Sequence, residues 1–214
     1  MNFLSIWSNN FDNNIAIWFS NLFDSFPSFL KEFFAIFSSL GNLGIFLLLL
    51  GIILLFIKPT RKLGIACFIS VLFTLLFNDL IFKNIFSRAR PFMDPDLMND
   101  LPSIVHNNSV PYGIIPSSDS FPSGHTFQYF LMLTICFFLF IKNKDEKKIY
   151  LPFLIFFSVM AVLMGLSRLL LSHHYATDVI AGALLGISFG IGGYYLLVLF
   201  EKLKNKIIKQ KNTN

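Results

Sequence analysis

Five apolar runs near membrane-crossing length dominate this chain: Leu43–Ile57, Leu63–Phe82, Thr126–Ile141, Tyr150–Leu166 and Val179–Phe200. A helix needs roughly 20 apolar residues to cross the hydrocarbon core, and backbone inside hydrocarbon must satisfy its own N–H and C=O groups. The runs are continuous rather than alternating, so they specify helices and not the strands of a closed barrel. The composition, 55% hydrophobic and 14% charged with 28 phenylalanines, excludes an ordinary soluble domain, for which about 45–50% and about 25% are usual. It also excludes a disordered segment, which has too little to bury. The expected fold class is all-α and integral to the membrane, a helical bundle of about five to six transmembrane helices.

The net charge of +5 sits in short clusters between the runs, so it reads as topology and no nucleic-acid partner is expected. Lys58, Arg61 and Lys62 link the first two runs, Lys142 to Lys148 link the third and fourth, and Lys202 to Lys211 close the chain. All three fall on one side if each run crosses once, and the positive-inside rule makes that side cytoplasmic. The connections Lys83–His125 and Ser167–Asp178 then share the outer face. Residues 1–40 read as an interfacial amphipathic segment: Trp7, Trp18 and several Phe and Ile residues are broken by Asn9, Asn10, Asp12, Asn13 and Asn14. That segment lacks the basic flank of a cleavable signal. Ser28–Leu40 is too short to cross but can lengthen the first run, and residues 201–214 form a basic cytoplasmic tail. Cys67 and Cys136 fall inside apolar runs, where a free thiol acts as a small hydrophobe.

The unusual polar residues collect in the two outer connections. Lys83, Arg88, Arg90 and Pro91 end the second run, with Pro91 expected to stop the helix, and Asp79 lies one turn before Lys83 as its ion-pair partner. Arg88 is assigned to the rim. Phe121-Pro122-Ser123-Gly124-His125 precedes the third run. Ser123 is placed as an N-cap, and Gly124 lets backbone approach a ligand at a helix N-terminus, a site suited to anions. In the third element, Ser167 to Asp178, His174 and Asp178 are four apart, so a helix beginning near Ser172 brings carboxylate to imidazole. That contact fixes the tautomer and leaves the other ring nitrogen as base or nucleophile. Gly182, Gly186 and Gly190 continue by fours from Asp178 and mark a closely packed face, within one bundle or between two. His173, about 100° round the helix, is the bystander. Lys83, Arg90 and Arg168 in one pocket repel a divalent metal and attract a dianion such as phosphate. Asp94, Asp96 and Asp100, with Ser103–Ser123 after them, read as a solvated outer loop.

Taken in order, Lys83-x6-Arg90-Pro91, Pro122-Ser123-Gly124-His125 and Ser167-Arg168-x5-His174-x3-Asp178 resemble the three-part signature of the type 2 phosphatidic acid phosphatase superfamily, whose site is shared with vanadium haloperoxidases. The resemblance covers about Gly41 to Phe200 and implies a transmembrane catalytic domain over residues 41–200 in a bacterial cytoplasmic membrane. It implies catalytic roles for His174 as nucleophile, Asp178 as its orienting partner and His125 as acid and base. Lys83, Arg90, Ser123, Gly124 and Arg168 would bind phosphate, with neither metal nor other cofactor. The implied partner is a lipid phosphate or diphosphate: undecaprenyl diphosphate, phosphatidylglycerol phosphate, phosphatidic acid or diacylglycerol pyrophosphate. Outward orientation favours the first. A phosphotransferase using the same phosphohistidine, and a non-enzymatic lipid-binding or transport protein, are the alternatives.

Overall fold

The computed structural model describes residues 3–94, 97, 100–101 and 119–213; the expected loop from Ser103 onward lies outside them until Asp119, as does Asp96. Seven principal helices are present among the described residues: α1 (Phe3–Asp24), α2 (Ser28–Ser39), α3 (Ile45–Phe56), α4 (Arg61–Phe73), α5 (Gly124–Lys142), α6 (Lys147–Leu170) and α7 (Ala176–Thr213). The helix of α4 runs on through a π-helical stretch, Thr74–Phe82, and a last α-turn, Lys83–Phe86. Among the described residues, four helical spans are long and apolar enough to cross a bilayer: Lys58–Met93, Gly124–Lys142, Lys144–Leu170 and Ala176–Gln210. The chain is a multi-pass membrane protein. Its first apolar run becomes the twelve-residue α3. Gly44 separates α3 from α2 by adopting φ 67°, a left-handed conformation natural to glycine, at a place where a Cβ would run into Val71 and Gln128.

Helix α5 is central, packed on α4, α6 and α7, and its interface with α7 is the most extensive among the described helices. Phe127, Leu131, Met132, Ile135 and Leu139 of α5 meet Leu63, Ala66 and Cys67 of α4 and Phe157, Ala161 and Met164 of α6 in the core. Gly182, Gly186 and Gly190 of α7 lie against the α5 backbone, where added Cβ atoms would fall 2.6 Å from Ser123 O, 2.5 Å from Phe127 O and 2.9 Å from Leu131 O. The glycine face therefore packs within the bundle. Outward-facing Ile53, Ile155, Val162 and Leu184 are exposed, as lipid-facing positions require.

The two ends of the bundle differ in chemistry. At one end Lys62 pairs with Glu146 at 3.5 Å and Glu201 at 3.9 Å, which gathers the three basic clusters together as their sequence positions suggested. At the other end lie the C-terminal end of the α4 span, the start of α5, the end of α6 and the start of α7. Helices α1 and α2 pack there against α6, and α1 also touches α7. From Asn10 onward, the buried residues of α1 are Asp12, Ala16, Ser20 and Phe23, while Phe11 and Trp18 are exposed. Of the polar positions that break its hydrophobicity, Asp12 thus faces protein, as does Ser20 two turns on.

Candidate active site

The continuous helix from α4 ends at Phe86, earlier than Pro91 alone would require, because Ser87 turns the chain with φ 40°. Lys83 pairs with Asp79 at 2.7 Å, as the spacing predicts. Asn78, buried one residue earlier, donates to Asp79 at 2.9 Å. Beyond the turn, Arg90 is buried and its guanidinium is held by two carbonyls, His173 O at 2.6 Å and Asp119 O at 3.1 Å. The same Arg90 Nη1 lies 3.0 Å from His174 Nε2.

Ser123 caps α5 as expected, its hydroxyl accepting from Thr126 N at 3.4 Å, while its own N–H donates to Asp178 O at 3.1 Å. That backbone bond ties the α5 start to the α7 start. His125 follows in the first turn and its Nε2 lies 3.1 Å from Asn42 Oδ1, between α2 and α3. Gly41 approaches the same imidazole so closely that a Cβ there would overlap it.

The helix carrying Asp178 begins at Ala176, not near Ser172. His174 therefore lies in the turn before α7, and Arg168 shapes that turn by accepting His173 N–H at 3.0 Å and His174 N–H at 3.3 Å with its carbonyl. Asp178 still reaches back from the first turn. Its Oδ2 accepts Tyr175 N–H at 2.9 Å, the carboxylate half of a capping box, takes the Ser120 hydroxyl, and lies 3.5 Å from His174 Nδ1. The last distance is at the outer limit of hydrogen bonding, with Ser120 Oγ equally 3.5 Å from that nitrogen. Arg168 itself is buried; its Nη1 donates to Ser38, and its Nε–H has no hydrogen-bond partner among the described residues.

Chemistry assigns the His174 tautomer. A guanidinium has only N–H donors, so Nε2, facing Arg90, must be the lone-pair nitrogen and Nδ1 carries the proton toward Asp178 and Ser120. Burial pushes the His174 pKa well below its ordinary value, and the charges of Arg90, Arg168 and Lys83 push it further down. The imidazole is neutral, as a nucleophile or base must be. His173, the expected bystander, has its ring 5.9 Å from Phe92 and gives its carbonyl to Arg90. Asp94 accepts from Tyr175 OH at 2.7 Å rather than standing free in a loop.

Arg88 corrects its sequence assignment. It is not at the rim: it pairs with Asp178 Oδ1 and with Asp12 Oδ2, each at 2.6 Å, and its guanidinium lies 3.9 Å from the centre of the Tyr175 ring. The left-handed Ser87 turns it inward, where two carboxylates await it. Asp12, Ser38, Asn42, Asn78 and Ser120 are the other site neighbours that sequence reasoning missed. They reach the site from different parts of the chain; Asp12, Asn42 and Asn78 had as their signal a carboxylate or amide among apolar residues, and the hydroxyls Ser38 and Ser120 had none.

All eight residues singled out from the sequence lie at this end of the bundle, and a PAP2 superfamily profile matches residues 61–201. The chain belongs to the PAP2 superfamily. Similar curated members are the bacitracin transport permease protein BcrC of Bacillus licheniformis, 28% identical over 140 residues, which are 56% of this chain and 64% of that one, and phosphatidylglycerophosphatase B of Bacillus subtilis strain 168, 34% identical over 100 residues, 44% of this chain and 45% of that one. A probable lipid phosphate phosphatase beta of Arabidopsis thaliana is 28% identical over 147 residues, 60% of this chain and 63% of that one. The chain thus spans less than two thirds of each relative's length. Among solved structures, the transmembrane PAP2-type phosphatidylglycerolphosphate phosphatase of Bacillus subtilis superposes with a TM-score of 0.61 at 24% identity, covering 92% of this chain and 90% of that one. That likeness shows the PAP2 fold.

Proposed function

We propose that this protein is a metal-independent membrane phosphatase that hydrolyses an amphiphilic phosphate or diphosphate at the outer end of the bundle through a phosphohistidine. The carrying observation is the neutral His174 whose Nε2 lone pair faces Arg90 and whose Nδ1 faces Asp178. A phosphate oxygen is a stronger acceptor for Arg90 than an imidazole nitrogen, so substrate draws the guanidinium from Nε2 and uncovers the nucleophile. The Nε2–P bond then forms as the bond from phosphorus to the lipid oxygen breaks, and His125 protonates that oxygen. Water activated by His125 next attacks phosphorus, the N–P bond breaks, and inorganic phosphate leaves.

Lys83, Arg90, Arg168 with its unpartnered Nε–H, the Ser123 hydroxyl and the Gly124 N–H hold the equatorial oxygens. Positioning and charge stabilisation are then most of the catalysis. Because the charges meet at a bundle end, the lipid tail stays in the bilayer while its phosphate enters. Phosphatidylglycerophosphatase B and the lipid phosphate phosphatase among the relatives support a lipid phosphate substrate; outward orientation favours undecaprenyl diphosphate within that class. The transport permease name of one relative keeps transport as the second reading, and turnover separates the two.

The test is phosphate release by detergent-purified protein in excess EDTA from undecaprenyl diphosphate, phosphatidylglycerol phosphate and phosphatidic acid. We expect release by wild type and none by His174→Ala. Equal release by the variant, or a folded wild type inert on all three, overturns the reading. A phosphorylated acceptor in place of free phosphate identifies a phosphotransferase.

A further inference from the structure

The Asp12 carboxylate of α1 is fully buried and uses both oxygens. Its Oδ1 accepts Thr177 N–H at 3.0 Å, at the N-terminal turn of α7 and 165 residues away in sequence, while its Oδ2 takes the Thr177 hydroxyl and Arg88 Nη2. Arg88 Nη1 turns the other way, to Asp178 Oδ1 at 2.6 Å and Thr177 Oγ1 at 2.8 Å. One guanidinium is thus shared between a carboxylate of the N-terminal helix and the carboxylate beside His174. Guanidinium and carboxylate favour a fork in which two N–H groups meet both oxygens. Here the fork is divided: Asp12 holds Nη2, so Asp178 receives a single N–H on Oδ1 and keeps Oδ2 for Ser120, Tyr175 N–H and His174.

We propose that Asp12 and Arg88 are positioning residues of the hydrolysis, with α1 keeping Arg88 one-pronged on Asp178 so that Oδ2 stays turned to His174. This rests on the phosphatase reading with His174 as nucleophile. Without the Asp12 charge, Arg88 swings its second nitrogen onto Oδ2 and takes that oxygen from the imidazole. The inward stripe Asp12, Ala16, Ser20 and Phe23 gives α1 the fixed depth this task needs: Ala16 packs with Leu97, Leu101 and Tyr175, and Phe23 with Leu170 and Leu171. A simple structural staple would predict lost stability; the divided fork predicts a specific loss in the chemical step and a specific suppressor.

The experiment measures kcat and KM for wild type, Asp12→Asn, Arg88→Lys and the double variant, each eluting as a single folded species in detergent. We expect Asp12→Asn to lower kcat about 10- to 100-fold, the scale of a catalytic group moved by an ångström, with KM within about twofold. Lysine cannot make the fork, so Arg88→Lys should be nearly indifferent to Asp12→Asn, and the double variant should turn over faster than Asp12→Asn alone. Wild-type kcat in Asp12→Asn, a change confined to KM, or a double variant equal to the product of the singles overturns the proposal. Should Asp12→Asn not fold, Asp12→Glu takes its place, with kcat lowered by the displaced carboxylate and restored by Arg88→Lys; no suppression refutes the inference. Histidine 15N NMR reads the His174 tautomer without turnover, assigned by its loss in His174→Ala. Dominant Nδ1–H in wild type, with an Nδ1–H resonance that shifts in Asp12→Asn as its Asp178 hydrogen bond is lost, supports the arrangement even for a preparation inert on every lipid tested, whereas an Nδ1–H resonance unchanged by Asp12→Asn contradicts it.

Discussion

As the proposed nucleophile, His174 must attack through an unprotonated nitrogen, and its surroundings favour the neutral ring: burial first, then the charges of Arg90, Arg168 and Lys83. An ordinary histidine is half protonated at about pH 6.5. The sign follows directly. A lowered pKa keeps the neutral form present as pH falls through 6.5 and loses it only at more acid pH. Plotted as kcat/KM and corrected for the substrate's own ionisation, the acid limb should therefore lie well below pH 6.5; a half-maximal point at or above that value contradicts the assignment. Arg88 shows the opposite limit of residue-level reading. As a cation beside a signature arginine it looked like a rim residue, and nothing in its neighbours along the chain reveals two buried carboxylates converging from α1 and α7.

At the scale of elements, the contact between α5 and α7 decides where the site's halves stand, because it sets Ser123 against Asp178 through one backbone hydrogen bond. The glycine face permits that closeness. Gly186→Ala would put a Cβ 2.5 Å from Phe127 O and 3.0 Å from Phe130 Cβ, and forcing such a contact costs about 1–3 kcal/mol. Gly192, with nothing within 4 Å of an added Cβ, is the control: alanine there should be neutral or stabilise by about 0.5–1 kcal/mol through helix propensity. Thermal unfolding in detergent should show a lower midpoint for Gly186→Ala and no fall for Gly192→Ala. The small-residue spacing was legible in sequence because periodicity survives in one dimension. Its partner was not, and only the helix packing assigns the face to α5.

For the whole molecule, the three basic clusters lie at the end opposite His174, so the positive-inside rule predicts a cytoplasmic C-terminus and an outward site. Cys67 and Cys136 are buried, which leaves little background for thiol labelling. In intact cells, a membrane-impermeant maleimide should label Asp100→Cys and spare Asp145→Cys and Asn205→Cys until permeabilisation; the reverse pattern inverts the topology. Sequence alone determined the helical membrane class, the cation-rich composition of the site and the local pairs Lys83–Asp79 and His174–Asp178, since hydrophobic run length and one-turn spacing are properties of neighbouring residues. Tertiary structure alone decided that the first apolar run is a short helix after the Gly44 turn, that α7 starts at Ala176 and that His125 meets Asn42. It alone brought Asp12 to Thr177, 165 residues away, and to Arg88, 76 residues away. Those outcomes depend on which buried polar group finds its partner when helices distant in sequence pack, and no local pattern encodes that.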